Sequence, residues 1–254
     1  MGLTFSPTQL LFLLVAAFAA GFVDAIAGGG GLISLPALMA VGLPPHAALA
    51  TNKGQSVFGA TASLTGYARA GLVDRRRALL GFPAGFLGAL LGARLVLLVR
   101  PETLRPIVVV LLLCVVAFLS LRPNLGEDGV RVPRGTRRIV LIALVMGLYD
   151  GFFGPGVGTF LIIALVALVG LDLARASAEA KVVNFASNLA AVILFGSRGL
   201  VLWSIALPMA FAQFCGGWLG ARFAIRRGSR VVRGMVMLVA IALALKLGQD
   251  MLAG

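Results

Sequence analysis

The chain has 254 residues, of which 60% are hydrophobic and only 12% are charged. A soluble domain is usually about half apolar and about a quarter charged, so this chain has too little polar surface to cover a water-soluble globule. The composition excludes a cytosolic enzyme, a disordered protein and a secreted disulfide scaffold. The net charge is +13, but the basic residues lie between hydrophobic runs, which favours loops that orient a membrane protein over nucleic-acid binding.

Each half of the chain contains five hydrophobic segments, predicted to be helices because the apolar runs are continuous and do not alternate like barrel strands. The first half has predicted segments at 9–27, 31–43, 47–68, 78–99 and 104–121. The second half has them at 138–153, 156–171, 176–196, 200–224 and 233–252. The clearly polar stretch between the halves predicts a first transmembrane repeat at 1–121, a basic cytoplasmic linker at 122–138 and a second transmembrane repeat at 139–254.

The two halves are predicted to be copies of one unit. Short motifs recur in the same order at offsets of 126 to 128 residues, which is unlikely to arise by chance for all of them together. The matching pairs are 21–24 (GFVD) with 147–150 (GLYD), Lys53 with Lys181, and 91–94 with 219–222 (LGAR in both).

The second segment of each half is short and begins in glycines. Segments one and two are therefore expected to be either two full spans or two half-helices that meet within the membrane. Both alternatives give each half an odd number of crossings, which inverts the second half. An odd number also places 14 loop arginines on one side and three on the other, so the positive-inside rule predicts that both termini lie outside.

Interrupted segments at matching positions of inverted repeats are typical of a transporter binding site. A break in a membrane helix frees backbone groups that lipid cannot satisfy, and a helix that begins after the break points its positive end at the same place, which suits an anion. The alternative is that the glycines only pack helices closely. The candidate anion-binding glycines are Gly28, Gly29, Gly30, Gly31, Gly154, Gly156 and Gly158.

The matched lysines Lys53 and Lys181 are the clearest charged candidates. A charge at the bilayer centre costs roughly 2.5 to 3.5 kcal/mol on insertion scales, so such residues usually face a cavity or an opposite charge. The alternative is that each lysine lies near a helix end and reaches the lipid headgroups. The side chains predicted to orient the anion are Asn52, Asn184 and Asn188.

The matched acids Asp24 and Asp150 precede the glycines by four residues. Each suits either a proton-coupling acid or an ion-pair partner of one lysine, and a structural cap at the helix end is the alternative.

His46 follows two prolines and is predicted to lie in a loop. Arg94 and Arg222 are expected to be interface anchors. No P-loop, HExxH motif or metal-ligand cluster is present, so no metal, no cofactor and no catalytic residue are predicted.

A family resemblance rests on residues 21–36 (GFVDAIAGGGGLISLP) and 50–53 (ATNK), together with 147–158 (GLYDGFFGPGVG) and 181–188 (KVVNFASN). The chain resembles the TauE/SafE sulfite exporters, also called the toluene-sulfonate uptake permease family, and looks most like the YfcA-type branch. The resemblance covers nearly the whole chain. It implies a bacterial inner-membrane transporter of anions such as sulfite, sulfonates or sulfoacetate. Pro155 and Val157 interrupt the second glycine motif, so the half-sites are expected to contribute unequally.

The sequence therefore predicts an all-α polytopic membrane protein made of two inverted repeats, with an anion site between the halves. Secondary transport coupled to an ion gradient, with protons as the candidate coupling ion, is the favoured function. A passive anion channel, an intramembrane enzyme and a membrane scaffold are the alternatives. The expected partners are a small anion and the lipid bilayer, not nucleic acid, and the sequence fixes neither the substrate, the direction nor the oligomeric state.

Overall fold

The computed structural model describes residues 5–100 and 136–227, together with positions 102 and 234. Within these ranges the regular secondary structure is entirely helical, which confirms the all-α class. The helices are α1 (Pro7–Ala27), α2 (Gly31–Ala40), α3 (Pro45–Arg69), α4 (Arg75–Leu97), α5 (Thr136–Phe152), α6 (Val157–Val169), α7 (Leu173–Ser197) and α8 (Trp203–Arg227). Apart from position 234, the predicted segments 104–121 and 233–252 lie outside the described residues, as does the linker before residue 136.

Local sequence signals set several helix ends. Ser6 and Gln9 form a reciprocal capping box at the start of α1. Asp74 and Asp172 cap α4 and α7, each by accepting a first-turn backbone N–H at 3.0 Å. Gly28 ends α1 at a φ of 78°, a left-handed conformation that glycine adopts without a Cβ penalty. Capping residues thus determine where these apolar runs become helices.

The short helices α2 and α6 fold back along the helices before them. They have 10 and 13 residues, hence lengths of about 15 and 20 Å, whereas a bilayer hydrocarbon core is about 30 Å thick. Gly30 lies against the backbone of Ala20 in the first half. In the second half, Arg138 near the start of α5 donates to the carbonyl of Leu168 near the end of α6 at 3.2 Å. The first two segments of each half therefore form a hairpin whose second helix is too short to cross the hydrocarbon core by itself.

Close contacts between helices show the direction in which each one runs. Successive glycines of α3 meet successive residues of α8, and successive glycines of α4 meet successive residues of α5, so each pair is parallel. The contacts are Gly54 with Ala206, Gly59 with Gln213, Gly66 with Ala221, Gly88 with Leu144 and Gly92 with Leu148. Since short connections reverse the chain between α3 and α4 and between α7 and α8, the equivalent helices α3 and α7 run in opposite directions.

The packing of the helices repeats with the two halves exchanged. Helix α1 packs on α8 as α5 packs on α4, and α3 packs on α8 as α7 packs on α4. Most of the extensive contacts between long helices therefore join one half to the other. The assignment of five segments to each repeat stays a prediction, because the fifth segments lie beyond the described ranges.

The helix directions separate the described arginines other than Arg94 and Arg222 between two ends of the molecule. We call the end where α3 and α8 finish and α4, α5 and α7 begin the arginine-rich face, and the other end the opposite face. The arginine-rich face carries Arg69, Arg75, Arg76, Arg77, Arg137, Arg138, Arg175, Arg226 and Arg227, and the opposite face carries Arg100 and Arg198. This is the separation that the loop charges predict, and the cytoplasmic assignment of the arginine-rich face stays a prediction.

The outer surface of the helices is suited to lipid. Three described helices, α1, α4 and α7, are long and apolar enough to cross a membrane. Large apolar side chains point outward along several helices, among them Leu79 and Leu87 on α4 and Leu207 and Phe211 on α8, all more than half exposed. Apolar surface of this extent on a soluble monomer would be unusual.

Glycines bring the backbones of α4 and α5 into direct contact. A Cβ placed on Gly88 would lie 2.2 Å from the carbonyl oxygen of Leu144, and one on Gly92 would lie 2.0 Å from that of Leu148. Gly216 meets the carbonyl oxygen of Phe18 at 2.1 Å in the equivalent α1–α8 contact. Small residues at matched positions thus set how closely the halves approach.

We predict that Gly88→Ala lowers the free energy of unfolding in detergent by about 1 to 3 kcal/mol, because its methyl group meets rigid backbone and forces α4 away from α5. The measurement is the apparent melting temperature of the purified protein.

The matched control for this prediction is Gly81→Ala on the same helix. The added Cβ would be 3.6 Å from Val183, an ordinary contact, and alanine favours helix by up to about 1 kcal/mol. Equal melting temperatures for the two variants would contradict the role of close backbone contact.

Candidate functional site

The turns of the two hairpins meet in the middle of the molecule. A Cβ on Gly28 would lie 2.2 Å from the carbonyl carbon of Gly158, so only glycine fits at this point. The hydroxyl of Thr159 donates to the carbonyl of Ala27, at the end of α1, at 2.7 Å. A side chain of the second hairpin therefore satisfies a free backbone carbonyl at the break of the first, as groups away from water require.

Each matched lysine forms an ion pair with the aspartate of the other half. Lys53 Nζ lies 2.5 Å from Asp150 Oδ1, and Lys181 Nζ lies 2.9 Å from Asp24 Oδ2. The two lysines are 2% and 0% exposed, and Lys53 is about 12 Å along α3 from its first residue. The structure thus supports the prediction of an intramolecular counter-charge and contradicts the alternative in which the lysines reach the headgroups.

The two ion pairs are held by different additional contacts. Asp24 Oδ1 accepts the backbone N–H of Gly30 at 3.3 Å, and Lys181 also donates to the backbone carbonyl of Asp24. Asp150 instead accepts the hydroxyl of Ser187. The half-sites are therefore chemically unequal, although their lysines and aspartates correspond.

The N-termini of α2 and α6 converge beside these ion pairs. The first N–H groups of an α-helix have no acceptor within the helix, and the helix dipole makes that end partly positive. Gly31 opens α2 next to Pro155, and Gly156, at a φ of 80°, precedes α6. Two helix ends of the kind that binds anions thus meet at the boundary between the halves.

A small cavity of about 20 Å³ lies between the hairpin turns and helices α3, α7 and α8. This volume has room for about one water molecule. Its predicted lining residues are Asp24, Gly28, Gly31, Asn52, Lys53, Asp150, Gly154, Asn184 and Asn188, and its other lining residues are Ser56, Val157 and Gln213.

The remaining predicted site residues lie next to the cavity but do not line it. Lys181 forms an ion pair with Asp24, and the backbone N–H of Gly30 donates to the same carboxylate. Gly158 packs on Gly28 of the other hairpin. Gly29 accepts a backbone N–H of α2, and Gly156 caps α6. These contacts place the predicted residues around one centre, whereas their role in binding an anion stays a prediction.

Two polar residues of the cavity were not predicted from the sequence. Gln213 of α8 is 2% exposed and donates to Ser56 of α3 at 3.3 Å. The side-chain oxygens of Gln213 and Asn184 have no hydrogen-bond partner among the described residues. A glutamine within an apolar run is a signal of a polar site. The comparison of the repeats did not identify Gln213, because its first-half equivalent is Gly85.

Other predicted residues lie away from the cavity. His46 belongs to the first turn of α3 and not to a loop, because Pro45 starts the helix, and its Nε2 lies 3.1 Å from the carbonyl oxygen of Val96. Arg94 and Arg222 are exposed, and Arg222 lies 4.1 Å above the ring of Trp218. Among the described residues no group of His, Cys, Asp and Glu side chains has the arrangement of a metal site.

Comparison with known proteins assigns the chain to a family of membrane proteins. The family model described as "TauE: Sulfite exporter TauE/SafE" matches residues 13–247. "Probable membrane transporter protein ORF9" of Sinorhizobium sp is 40% identical over 95% of the chain and 93% of its own length. "Probable membrane transporter protein YfcA" of Escherichia coli K12 is 39% identical over 96% of the chain and 91% of its own length. No solved structure gives a significant match.

We predict that Lys53→Met lowers the free energy of unfolding by about 3 to 5 kcal/mol, because it leaves the buried carboxylate of Asp150 without its partner. The double variant Lys53→Met, Asp150→Leu should be less destabilised than Lys53→Met alone. A double-mutant cycle of unfolding free energies measures this coupling.

The control is Arg175→Met, which breaks an ion pair with Asp172 whose side chains are 61% and 56% exposed. Its effect should be about 0 to 1 kcal/mol. Additive effects of the two changes at 53 and 150 would show that the buried pair is not energetically coupled.

Proposed function

The chain belongs to the sulfite exporter TauE/SafE family of membrane proteins, and from this premise we propose that it is a secondary transporter of a small sulfur-containing anion, such as sulfite or a sulfonate. The observation that carries the proposal is the convergence of two half-helix N-termini on a small cavity between the halves. An enzyme would need a catalytic group, for which the sequence offers no motif.

The electrostatics of the cavity favour a single anion. Lys53 and Asp150 neutralise each other, as do Lys181 and Asp24, so these four side chains add no net charge. The positive ends of α2 and α6 then supply the attraction, because their first N–H groups point toward the turn. Asn184 adds an amide that can orient an oxyanion. An anion bound in this way is stabilised by the partial charges of the helix ends. The empty site then contains no unpaired side-chain charge.

The size of the cavity implies a conformational change during transport. A space of about 20 Å³ holds one water molecule, and an oxyanion of sulfur needs more room. The cavity would therefore have to enlarge before such an anion binds, and alternating access would open it toward one face at a time. A passive channel would instead need a continuous path wide enough for the anion, so the small volume of this cavity between the described helices favours a transporter.

Proton coupling would act on the same residues. Protonation of Asp24 or Asp150 removes the charge that holds its lysine, so uptake of a proton would free a positive charge for the anion. We keep these two aspartates as the candidate coupling acids. The setting that fits is the bacterial inner membrane, with the arginine-rich face in the cytoplasm and both termini outside.

We predict that proteoliposomes containing the protein accumulate labelled sulfite or sulfonate against its gradient when a pH gradient is imposed. Lys53→Ala and Lys181→Ala should abolish this flux while the protein still purifies as a folded species. Normal flux in both variants would disprove the assignment of the site, and wild-type flux that only dissipates a gradient would indicate a channel.

We also predict that Gln213→Glu weakens anion binding at least tenfold at slightly alkaline pH, because it places a carboxylate of nearly the same shape beside the anion. The measurement is the rise in melting temperature that unlabelled sulfite or sulfonate produces in the protein purified in detergent.

Gln9→Glu is the matched control for Gln213→Glu. Gln9 lies in the capping box of α1, where glutamate serves as well as glutamine, far along α1 from the turn at Gly28. Anion affinity should be unchanged in this variant, and a similar loss in both would show that the cavity is not the binding site.

A further inference from the structure

Two backbone N–H groups make matched contacts between the halves. The N–H of Asp74 donates to the carboxylate of Glu179 at 2.7 Å, and the N–H of Leu202 donates to the hydroxyl of Thr51 at 3.1 Å. Glu179 is 128 residues after Thr51, and Leu202 is 128 residues after Asp74, which is the offset of the two lysines. We call these the Glu179 contact and the Thr51 contact.

Each contact joins the beginning of one helix to the second turn of another. Asp74 caps α4, and Leu202 immediately precedes α8. The Glu179 contact lies toward the arginine-rich face, where α4 and α7 begin, and the Thr51 contact lies toward the opposite face, where α8 and α3 begin. The two contacts therefore lie toward opposite faces of the molecule.

Helices α3 and α7 are each bound to the other half on two sides. Residues two apart on a helix point to nearly opposite sides, since the helix has 3.6 residues per turn. Lys181 binds the end of α1, and Glu179, two residues earlier, binds the start of α4. Lys53 and Thr51 bind α5 and α8 in the same way. With all four contacts formed, α3 and α7 are each held on two sides beside the cavity.

We propose that Glu179 and Thr51 are positioning residues of the transport cycle, Glu179 closing the pathway at the arginine-rich face and Thr51 closing it at the opposite face. This inference rests on the proposed function. Movement of one half against the other opens an end only after the contact at that end breaks, because each contact joins residues of different halves.

The two contacts differ in chemistry and hence in strength. Both residues are buried, at 4% exposure for Glu179 and 0% for Thr51. The carboxylate of Glu179 also lies 4.0 Å from the guanidinium of Arg77, whereas the hydroxyl of Thr51 is neutral. The Glu179 contact is also the shorter of the two, at 2.7 Å against 3.1 Å. The arginine-rich end is therefore closed more firmly, and the protein opens more readily to the opposite face.

The surroundings of Glu179 give its carboxylate few other partners. Together with Arg77 it borders a cavity of about 10 Å³ whose other walls are apolar, including Ile142, Leu161 and Leu165. A carboxylate that left the Asp74 N–H without reaching water would lose its hydrogen bond among these residues. Breaking the Glu179 contact therefore goes together with entry of water from the arginine-rich face.

Hydrogen exchange read by mass spectrometry on the full-length protein in detergent tests the proposal directly. After correction for intrinsic rates, the peptide with the Asp74 amide should exchange more slowly than the peptide with the Leu202 amide. Glu179→Ala should speed exchange at Asp74 by roughly two- to tenfold, the size expected for the loss of one hydrogen bond, without speeding it at Leu202. Thr51→Val, which keeps the shape of the side chain, should do the reverse.

Faster exchange at both ends in either variant would indicate general destabilisation and overturn the proposal, as would unchanged exchange in both. Glu179→Gln keeps an acceptor oxygen without the charge and should give an intermediate rate at Asp74 alone. That variant keeps the test decisive if Glu179→Ala does not fold.

Thiol labelling in membranes of known sidedness gives a second readout that a purely structural role would not produce. A cysteine introduced by Ser56→Cys, in a chain with its natural cysteines replaced by serine, lines the cavity. A membrane-impermeant reagent should reach it from the arginine-rich face in Glu179→Ala and from the opposite face in Thr51→Val. Labelling from the same face in both variants would refute the assignment.

The exchange and labelling experiments need no anion, so their result is independent of the flux assay. Absence of wild-type flux for every anion tested would disprove the proposed substrate class while the two-ended response to the variants could still be observed. Normal wild-type flux with no end-specific response would disprove the roles of Glu179 and Thr51 alone.

Discussion

The exchange of ion-pair partners between the halves is the interaction on which the rest of the structure depends. A lysine or an aspartate in a poorly hydrated helical core is costly alone, and each of these four residues is neutralised only by a residue of the other half. The pairs therefore fix the relative position of the halves at the same depth as the broken helices. They do so where lipid could satisfy neither the charges nor the free backbone groups.

The close approach of the hairpin turns follows from this arrangement. Gly28 and Gly158 touch backbone to backbone, so the ends of α1 and α5 and the starts of α2 and α6 lie within one small volume. Four helix ends thus bring partial charges of both signs to the cavity, while the paired side chains contribute no net charge. A site of this kind can hold an anion through backbone groups and still be stable when empty.

The two halves differ in the polar contacts around the ion pairs and the cavity. Ser187 binds Asp150, whereas the backbone of Gly30 binds Asp24, and Gln213 has glycine as its first-half equivalent. Glu179 stands where the first half has Thr51. Two identical inverted repeats would make the two ends of the pathway equivalent. The unequal contacts at those ends make them differ. The asymmetry is concentrated in polar contacts, while the glycine contacts of α1 with α8 and of α5 with α4 stay equivalent.

The sequence by itself determined the helical class, the approximate bounds of the eight described helices and the correspondence of Lys53 with Lys181, because apolar runs, caps and repeated motifs are local properties of the chain. It left open whether the short segments span the membrane and which aspartate neutralises which lysine. Only the tertiary structure decided these points, since Lys53 and Asp150 are 97 residues apart and no local pattern specifies a partner at that separation. It also decided that Gln213 faces the cavity, because that depends on how α8 packs on α3 and not on the composition of α8.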